Sequence, residues 1–222
     1  AYGLMPEVAW NKGISYDQQF RLFNRKASLA LDFFRNDFSQ QVVVDMEDAR
    51  SIRFYNLNGK SYSNSFQTEL NLQPFQHLEW RLAYRYFDVQ TTYINQLLQK
   101  PFTALHRAFT NLAFDYKGWK LDLTLNYNGS KRIPSTAANP VNFQRTTKSP
   151  SYLLMNAQLS KELGKKNSFD LYLGGENLTN FFQKDVIVAA ADAFGPYFDA
   201  SLVWGPVTGR MIYGGLRWKW KR

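Results

Sequence analysis

The sequence predicts an all-β protein, an antiparallel transmembrane β-barrel to which this chain contributes about nine strands. Three observations carry that prediction. Apolar and polar residues alternate with period two through runs of roughly 10–15 residues. The connections between runs switch regularly between tight turns and long loops, as they do at the two rims of a membrane barrel. Aromatic residues make up 17% of the chain and gather near strand ends at Trp10, Phe75, Trp80, Tyr116, Trp119, Tyr127, Tyr152 and Trp218, where an interfacial girdle places them.

The first strand spans residues 8–22, with Ile14, Tyr16, Gln18, Phe20 and Leu22 on one face. A polar turn at 24–26 leads into a second strand over 27–44. Its alternation blurs at Arg35, Asn36, Asp37 and Phe38, where a bulge is expected to shift the register. Residues 45–59 read as a loop, within which 52–55 has the character of a strand. The third strand covers 62–73, and Pro74 to His77 breaks it. In the fourth, Leu78, Trp80, Leu82, Tyr84 and Tyr86 oppose Glu79, Arg81, Ala83, Arg85 and Phe87.

A longer connection over 90–104 contains Pro101. The fifth strand covers 105–116 and ends at a Lys117–Gly118 hairpin turn. In the sixth, Leu121, Leu123, Leu125 and Tyr127 alternate with Asp122, Thr124, Asn126 and Asn128. A loop over 129–150 holds Pro134, Pro140 and Pro150. The seventh strand covers 151–163, a turn follows at 164–167, and the eighth strand covers 169–178. The longest loop is 179–210, and its segment 189–194 reads as a short helix or lid. The last strand covers 211–220, with Ile212, Leu216, Trp218 and Trp220 on one face and Tyr213, Gly215, Arg217 and Lys219 on the other.

Composition narrows the functional classes. No run reaches the about 18 apolar residues of a membrane helix, whereas alternation hides a barrel from any hydropathy window. There is no cysteine, which excludes disulfide staples and thiolate metal sites. The net charge is +9, from 27 basic and 18 acidic residues. The basic residues are scattered along strands and form no block, which points to a polar lumen and headgroup contacts and away from nucleic acid. The first residues show no basic segment followed by an apolar one, and so do not read as a secretory signal.

The last strand is expected to end in the periplasm. Counting back, the first strand descends from outside. Nine strands with two free edges cannot stand alone in lipid, so the chain is expected to be the C-terminal part of a larger barrel.

Pro6–Glu7 with Trp10 to Gly13, Phe33 to Phe38, Asn64 to Leu70, Tyr84 to Tyr86, Gly175 to Asn180, and Gly209–Arg210 before the terminal strand form a set of segments. Together they resemble the barrel of TonB-dependent outer-membrane receptors. The last strand is also similar to the C-terminal insertion signal of bacterial outer-membrane barrels, carried by Tyr213, Gly215, Trp218 and Trp220, although Lys221 and Arg222 follow it. The resemblance implies a 22-stranded barrel, a location in the bacterial outer membrane, and an upstream plug domain and TonB-contacting region that this sequence does not contain. It also implies active uptake of a scarce nutrient such as a ferric siderophore, haem, cobalamin or another chelate. The expected partners are outer-membrane lipid, the rest of the receptor, the TonB complex and a small-molecule ligand.

No catalytic constellation is visible. The two histidines, His77 and His106, fall at opposite ends of their strands, too far apart for a shared metal site or triad. His77 reads as a solvated turn residue; His106 lies near the outer end of a strand, where contact with a loop-borne ligand is the less favoured reading because no partner group accompanies it. No cofactor, no metal site and no enzymatic activity are expected. The lumen candidates are Glu69, Arg81, Arg85, Arg107, Asp122 and Glu176. Two readings stand for them: salt-bridged wall residues, or contacts to a ligand or plug. The loops 90–104, 129–150 and 179–210 are the other candidates for ligand contact. The alternatives to a receptor are a passive porin-like or scaffolding outer-membrane barrel and a soluble β-barrel binder.

Overall fold

A computed structural model describes residues 3–164 and 169–218 of the chain. Trp220 of the terminal signal and most of the 164–167 turn lie outside the described residues. The strands are β1 (Val8–Leu22), β2 (Arg25–Gln40), β3 (Val42–Asp45), β4 (Arg53–Asn56), β5 (Ser61–Phe75), β6 (Leu78–Tyr93), β7 (Gln96–Gln99), β8 (His106–Tyr116), β9 (Trp119–Asn128), β10 (Tyr152–Leu163), β11 (Phe169–Glu176) and β12 (Met211–Trp218). Among the described residues there is no α-helix, only a 3-10 turn at Val141–Phe143. The expected helix at 189–194 is a series of turns.

Nine strands form one antiparallel meander in the order β1-β2-β5-β6-β8-β9-β10-β11-β12. Among the described residues, β1 and β12 each pair on one side only. The register is continuous. Leu70 faces Leu29 and Leu82, Leu112 faces Trp80 and Leu123, and Leu159 faces Leu121 and Leu173. Partners in register share a face, so one apolar face runs across the whole sheet. Its residues are exposed: Ile14 at 71%, Leu173 at 61% and Leu216 at 63%. An apolar face of this extent is what a lipid-facing wall presents. On it, the Trp80 indole N–H donates to Thr110 Oγ1 at 2.8 Å, which removes an unpaired donor from an apolar environment.

Tight turns close one end. Phe23 and Asn24, and Lys117 and Gly118, adopt the left-handed backbone that two-residue hairpins need to match strand twist. The first turn is therefore Phe23–Asn24, and Arg25 and Lys26 already belong to β2. The other end carries the long connections, and these contain more strand than expected. β3 and β4 form their own hairpin, and β6 runs on to Tyr93, where β7 folds back on it. The bulge expected at residues 35–38 is absent. Pairing is regular there with both neighbours, and the irregularity lies at Ser39, between the pairs Val8–Gln40 and Ala9–Phe38.

The packed apolar core of the described residues lies in these long connections. Ile133, Val188 and Leu202 are buried together, with Phe102, Phe143, Ala189 and Trp204 against them. The loops thus form a structured cap at one end of the sheet.

Candidate functional site

The site is the polar face of the sheet together with the cap above it. Low on the wall, Arg81 Nε donates to Asn71 Oδ1 at 3.0 Å, and Asn71 Nδ2 donates to Glu69 Oε1 at 3.0 Å. Arg81 and Glu69 approach to 3.6 Å. Asn111, in register with Arg81, donates to Asp122 Oδ1 at 3.1 Å and to Thr124 Oγ1 at 2.9 Å. Three of the predicted residues, Glu69, Arg81 and Asp122, therefore belong to one side-chain band across β5, β6, β8 and β9. Further along, Lys120 pairs with Glu162 at 2.9 Å, and Arg217 with Asp170 at 3.8 Å. This part of the wall balances its own charge. Pairs this open to solvent add little stability, and they fix side-chain positions more than they hold the fold together.

Higher on the same face the balance fails. Arg85 on β6 and Arg107 on β8 are partners in register. Neither forms an ion pair among the described residues. The Arg85 guanidinium lies 4.1 Å from the centre of the Phe87 ring, and its buried Nε has no hydrogen-bond acceptor. Glu176 stands apart at the end of β11, opposite Met211 and exposed. The structure thus divides the six predicted residues into a hydrogen-bonded band of three, a bare pair of arginines and an isolated carboxylate.

The cap supplies residues that the sequence reading missed. Lys131 follows β9 by three positions and is 7% exposed. Its ammonium donates to Tyr152 Oη at 3.3 Å and to the Trp204 carbonyl. Burial, and then the nearby Arg107, holds its pKa below the ordinary lysine value. Tyr152 stacks on Phe181 at 4.6 Å with the rings nearly parallel. Arg132 grips Glu47 with both ends of its guanidinium. In the sequence, Lys131 and Arg132 are two basic residues in a Pro-rich loop. No local periodicity distinguishes them from solvated charges.

The segment from Glu176 to Asn180 has a local structural job. Asn177 and Asn180 adopt the left-handed backbone. Asn177 Nδ2 donates to the Phe181 carbonyl at 2.7 Å, and Asn177 Oδ1 accepts from Phe181 N at 3.1 Å. Thr179 Oγ1 donates to the Leu153 carbonyl at 2.7 Å, and Asn180 Oδ1 accepts from Arg210 N at 2.9 Å. Both ends of the longest loop are thereby clamped to the sheet.

The histidines lie apart. His77 sits in the β5–β6 turn with its ring 5.0 Å from that of Tyr116. His106 does not lie on the polar face. It faces Tyr86 in register on the apolar face, and its Nδ1 lies 2.8 Å from Tyr84 Oη. It starts β8 one residue before Arg107, and a one-residue step reverses the face. In the terminal strand, Tyr213 and Gly215 lie on the polar face, with Tyr213 Oη donating to Gln158 Oε1 at 3.2 Å. Trp218 lies on the apolar face, stacked on Phe169 at 6.3 Å.

Comparison with known proteins places this geometry. The family "TonB dependent receptor-like, beta-barrel" matches residues 1–178. A search of curated proteins returned no match. Among solved structures, the chain is similar to the ferric-catecholate import receptor Fiu of E. coli K12, with TM-score 0.64 and 13% identity, over 96% of this chain and 28% of Fiu. It is similar to the iron transporter FrpB of Neisseria meningitidis, with TM-score 0.63 and 14% identity, over 98% of this chain and 31% of FrpB. The siderophore receptor PirA of Acinetobacter baumannii matches with TM-score 0.60 and 14% identity, over 97% of this chain and 32% of PirA. At such identities the likeness is one of fold, and the chain spans under a third of each of these structures. On the family match, the wide apolar face and the sorting of turns and loops to opposite ends, this chain belongs to the TonB-dependent receptor β-barrel family.

Proposed function

We propose that this chain is the C-terminal part of an outer-membrane receptor that takes up a scarce nutrient by TonB-dependent transport. On this reading the apolar face meets lipid, the tight turns face the periplasm, and the cap faces outward. The observation that carries the reading is the cap itself: four long connections at one end of the sheet, joined by a shared apolar core and by Arg132–Glu47, above a wall whose upper charges are uncompensated. A passive pore needs no such packed cover, and a loop cap on a rigid wall is how scaffolds present ligand contacts. The free edges of β1 and β12 pair with further strands of the same receptor, to give the 22-stranded barrel and plug that the family resemblance implies. Transport rather than catalysis is its role, with ferric siderophores, haem, cobalamin and other chelates as the candidate nutrients.

The test is nutrient-limited growth of a strain lacking the receptor that carries this chain, supplied with each chelate class in turn. The receptor is expected to restore growth on one class only while TonB is functional. Restoration that persists without TonB assigns the barrel to passive diffusion and overturns the proposal.

A further inference from the structure

The apolar face treats its charges differently at its two ends. At the long-loop end, Lys12, Arg35, Asn64 and Asp88 are successive register partners on that face. Arg35 also binds Asp37, two residues on, at 2.7 Å. Two cations there meet two acids. At the turn end the same face carries Arg25, which faces Leu22, and Lys161, which faces Trp119. Lys117 joins them from the β8–β9 turn, its ammonium 5.0 Å from the centre of the Tyr116 ring. Strand alternation sends the acids of this end, Glu79, Asp115, Glu162 and Asp170, to the polar face. Lys120 and Arg217 approach three of them there. The residues outside the described set, 1–2, 165–168 and 219–222, contain no acid. The outward cations beside the tight turns therefore have no counter-charge of their own.

Two of these cations meet. Tyr116, Trp119, Lys161 and Leu171 are successive register partners in the row that closes the β8–β9 hairpin. Lys161 Nζ lies 4.8 Å from the centre of the Trp119 ring and donates to the Lys117 carbonyl at 2.9 Å. Both ammoniums thus ride over aromatic rings at the rim, with their stems on apolar surface. That carbonyl uses one of the three Lys161 ammonium hydrogens, and Lys117 has no acceptor among the described residues. One outward row further from the turn, Leu121 and Leu159 face each other, each 43% exposed. We infer that Lys117 and Lys161, over Tyr116 and Trp119, form a seat for the headgroup phosphate of an anionic phospholipid in the leaflet beside the tight turns. The inference rests on the uptake reading above, which makes this the periplasmic leaflet. Charge sets the headgroup class. A zwitterionic headgroup brings its own cation, whereas an anionic one supplies the missing counter-charge. Position sets the source of the phosphate. A phosphate that reaches both ammoniums has the apolar wall of Leu121 and Leu159 beside it, where acyl chains lie and a soluble anion gains nothing.

The test uses the whole receptor, delipidated in non-ionic detergent at low ionic strength. Dioleoylphosphatidylglycerol is the probe and zwitterionic dioleoylphosphatidylcholine its control, with bound lipid read by native mass spectrometry over a titration. Wild type is expected to retain phosphatidylglycerol in preference to phosphatidylcholine. Lys117→Asn and Lys161→Gln are each expected to weaken phosphatidylglycerol by about fivefold, the worth of one basic residue at an anionic lipid surface. Lys117 has a left-handed backbone, which asparagine tolerates, so that variant folds. Lys161→Arg keeps the charge and is expected to keep the lipid. Lys184→Gln, exposed in the longest loop, is expected to leave binding unchanged. Equal phosphatidylglycerol affinity in wild type and in the double variant Lys117→Asn, Lys161→Gln overturns the seat. Equal retention of the two lipids by wild type does the same. Loss of the lipid in Lys161→Arg as complete as in Lys161→Gln assigns Lys161 to the Lys117 carbonyl alone and overturns it. Displacement of the lipid by an equal concentration of glycerol 3-phosphate assigns the lysines to a soluble phosphate and also overturns it. TonB dependence of growth, scored in strains carrying the same receptors, separates the two readings. Growth that needs TonB, with a receptor that shows no lipid preference, removes the seat alone. Lipid preference in a receptor whose growth phenotype ignores TonB removes the uptake reading alone.

Discussion

Arg132 reaches across 85 residues of chain to Glu47, and both guanidinium ends meet the carboxylate, with Nη1 at 2.8 Å from Oε2. The two side chains are only 15% and 17% exposed, and Arg132 Nε also bonds the Gln99 carbonyl. One arginine thus ties the 129–150 loop to the loop that holds β3 and β4 and to the end of β7. Removing one partner leaves the other charge half-buried and unpaired, at a local cost on the order of 3 kcal/mol. Arg132→Ala is expected to raise hydrogen exchange throughout both loops and to leave the strands below protected. Unchanged exchange at 45–56 would show that the apolar core alone holds the cap.

Tyr55 makes the second tie. Its hydroxyl donates to Asp45 Oδ2 at 2.9 Å and accepts from the Ile94 backbone at 3.0 Å. Asp45 is 1% exposed. Burial, more than any neighbour, pushes the Tyr55 hydroxyl above its ordinary pKa. Tyr55→Phe keeps the ring and removes the donor from a buried carboxylate, which costs about 1–3 kcal/mol. The β3–β4 hairpin is expected to become protease-sensitive before the rest of the receptor. A digestion pattern identical to wild type would contradict this.

The nine wall strands are legible in the sequence because period-two alternation, strand length and turn residues all agree, as at Leu121 to Asn128 and at Lys117–Gly118. The alternation blurs at 35–38 for another reason than a bulge. Arg35 and Asp37 share the face of Phe33, and the guanidinium binds the carboxylate two residues away at 2.7–3.0 Å. Polar groups that satisfy each other can remain on that face with no shift of register. The cap was opaque for a deeper reason. Glu47, Lys131, Arg132 and Trp204 lie on three separate connections, and their meeting depends on packing that no local pattern encodes. Glu69, Arg81 and Asp122 were predicted to face inward because alternation fixes the face. It says nothing of which charges find partners, so the bare pair Arg85–Arg107 looked the same as the hydrogen-bonded band.

Leu123 tests the placement of the apolar face. It lies in register with Leu112 and Ala157, in the middle of β9. Leu123→Arg puts a charge where lipid is expected, at about 2–4 kcal/mol for a midplane position. Yield of the heat-resistant receptor in the outer-membrane fraction is expected to fall sharply. Normal assembly would mean that this face is covered by protein.

The end of the chain tests the insertion signal. On the polar face, a side chain at Gly215 meets the Tyr172 hydroxyl at 2.5 Å, and on the apolar face Trp218 stacks on Phe169. Deletion of Trp218 to Arg222 removes the apolar end of the strand and leaves Tyr213 and Gly215 in place. Membrane insertion is expected to be lost. Undiminished receptor in the outer-membrane fraction would assign Trp218 to packing against β11 only.

Lys131 gives a pH dependence whose sign follows from its burial. Its folded-state pKa is depressed, by burial first and by Arg107 second. Between that lowered value and the ordinary lysine value near 10.5, the unfolded loop binds more protons than the folded one. Stability of the cap contributed by this group therefore rises as pH climbs through that interval, and it is reduced where the lysine must be charged while buried. Tyr55 acts in the opposite sense. Its raised folded-state pKa means that stability is lost as pH rises past the ordinary tyrosine value. The difference between wild type and Lys131→Met isolates the lysine, because Tyr55 is common to both. Denaturation of the cap, followed through Trp204 fluorescence between neutral pH and about pH 10, a range set by the reference values of the two groups, is expected to show wild type gaining on the variant as pH rises. A constant gap between the two curves would mean that Lys131 carries the same charge in the folded cap as in the unfolded loop throughout, and that burial does not depress its pKa.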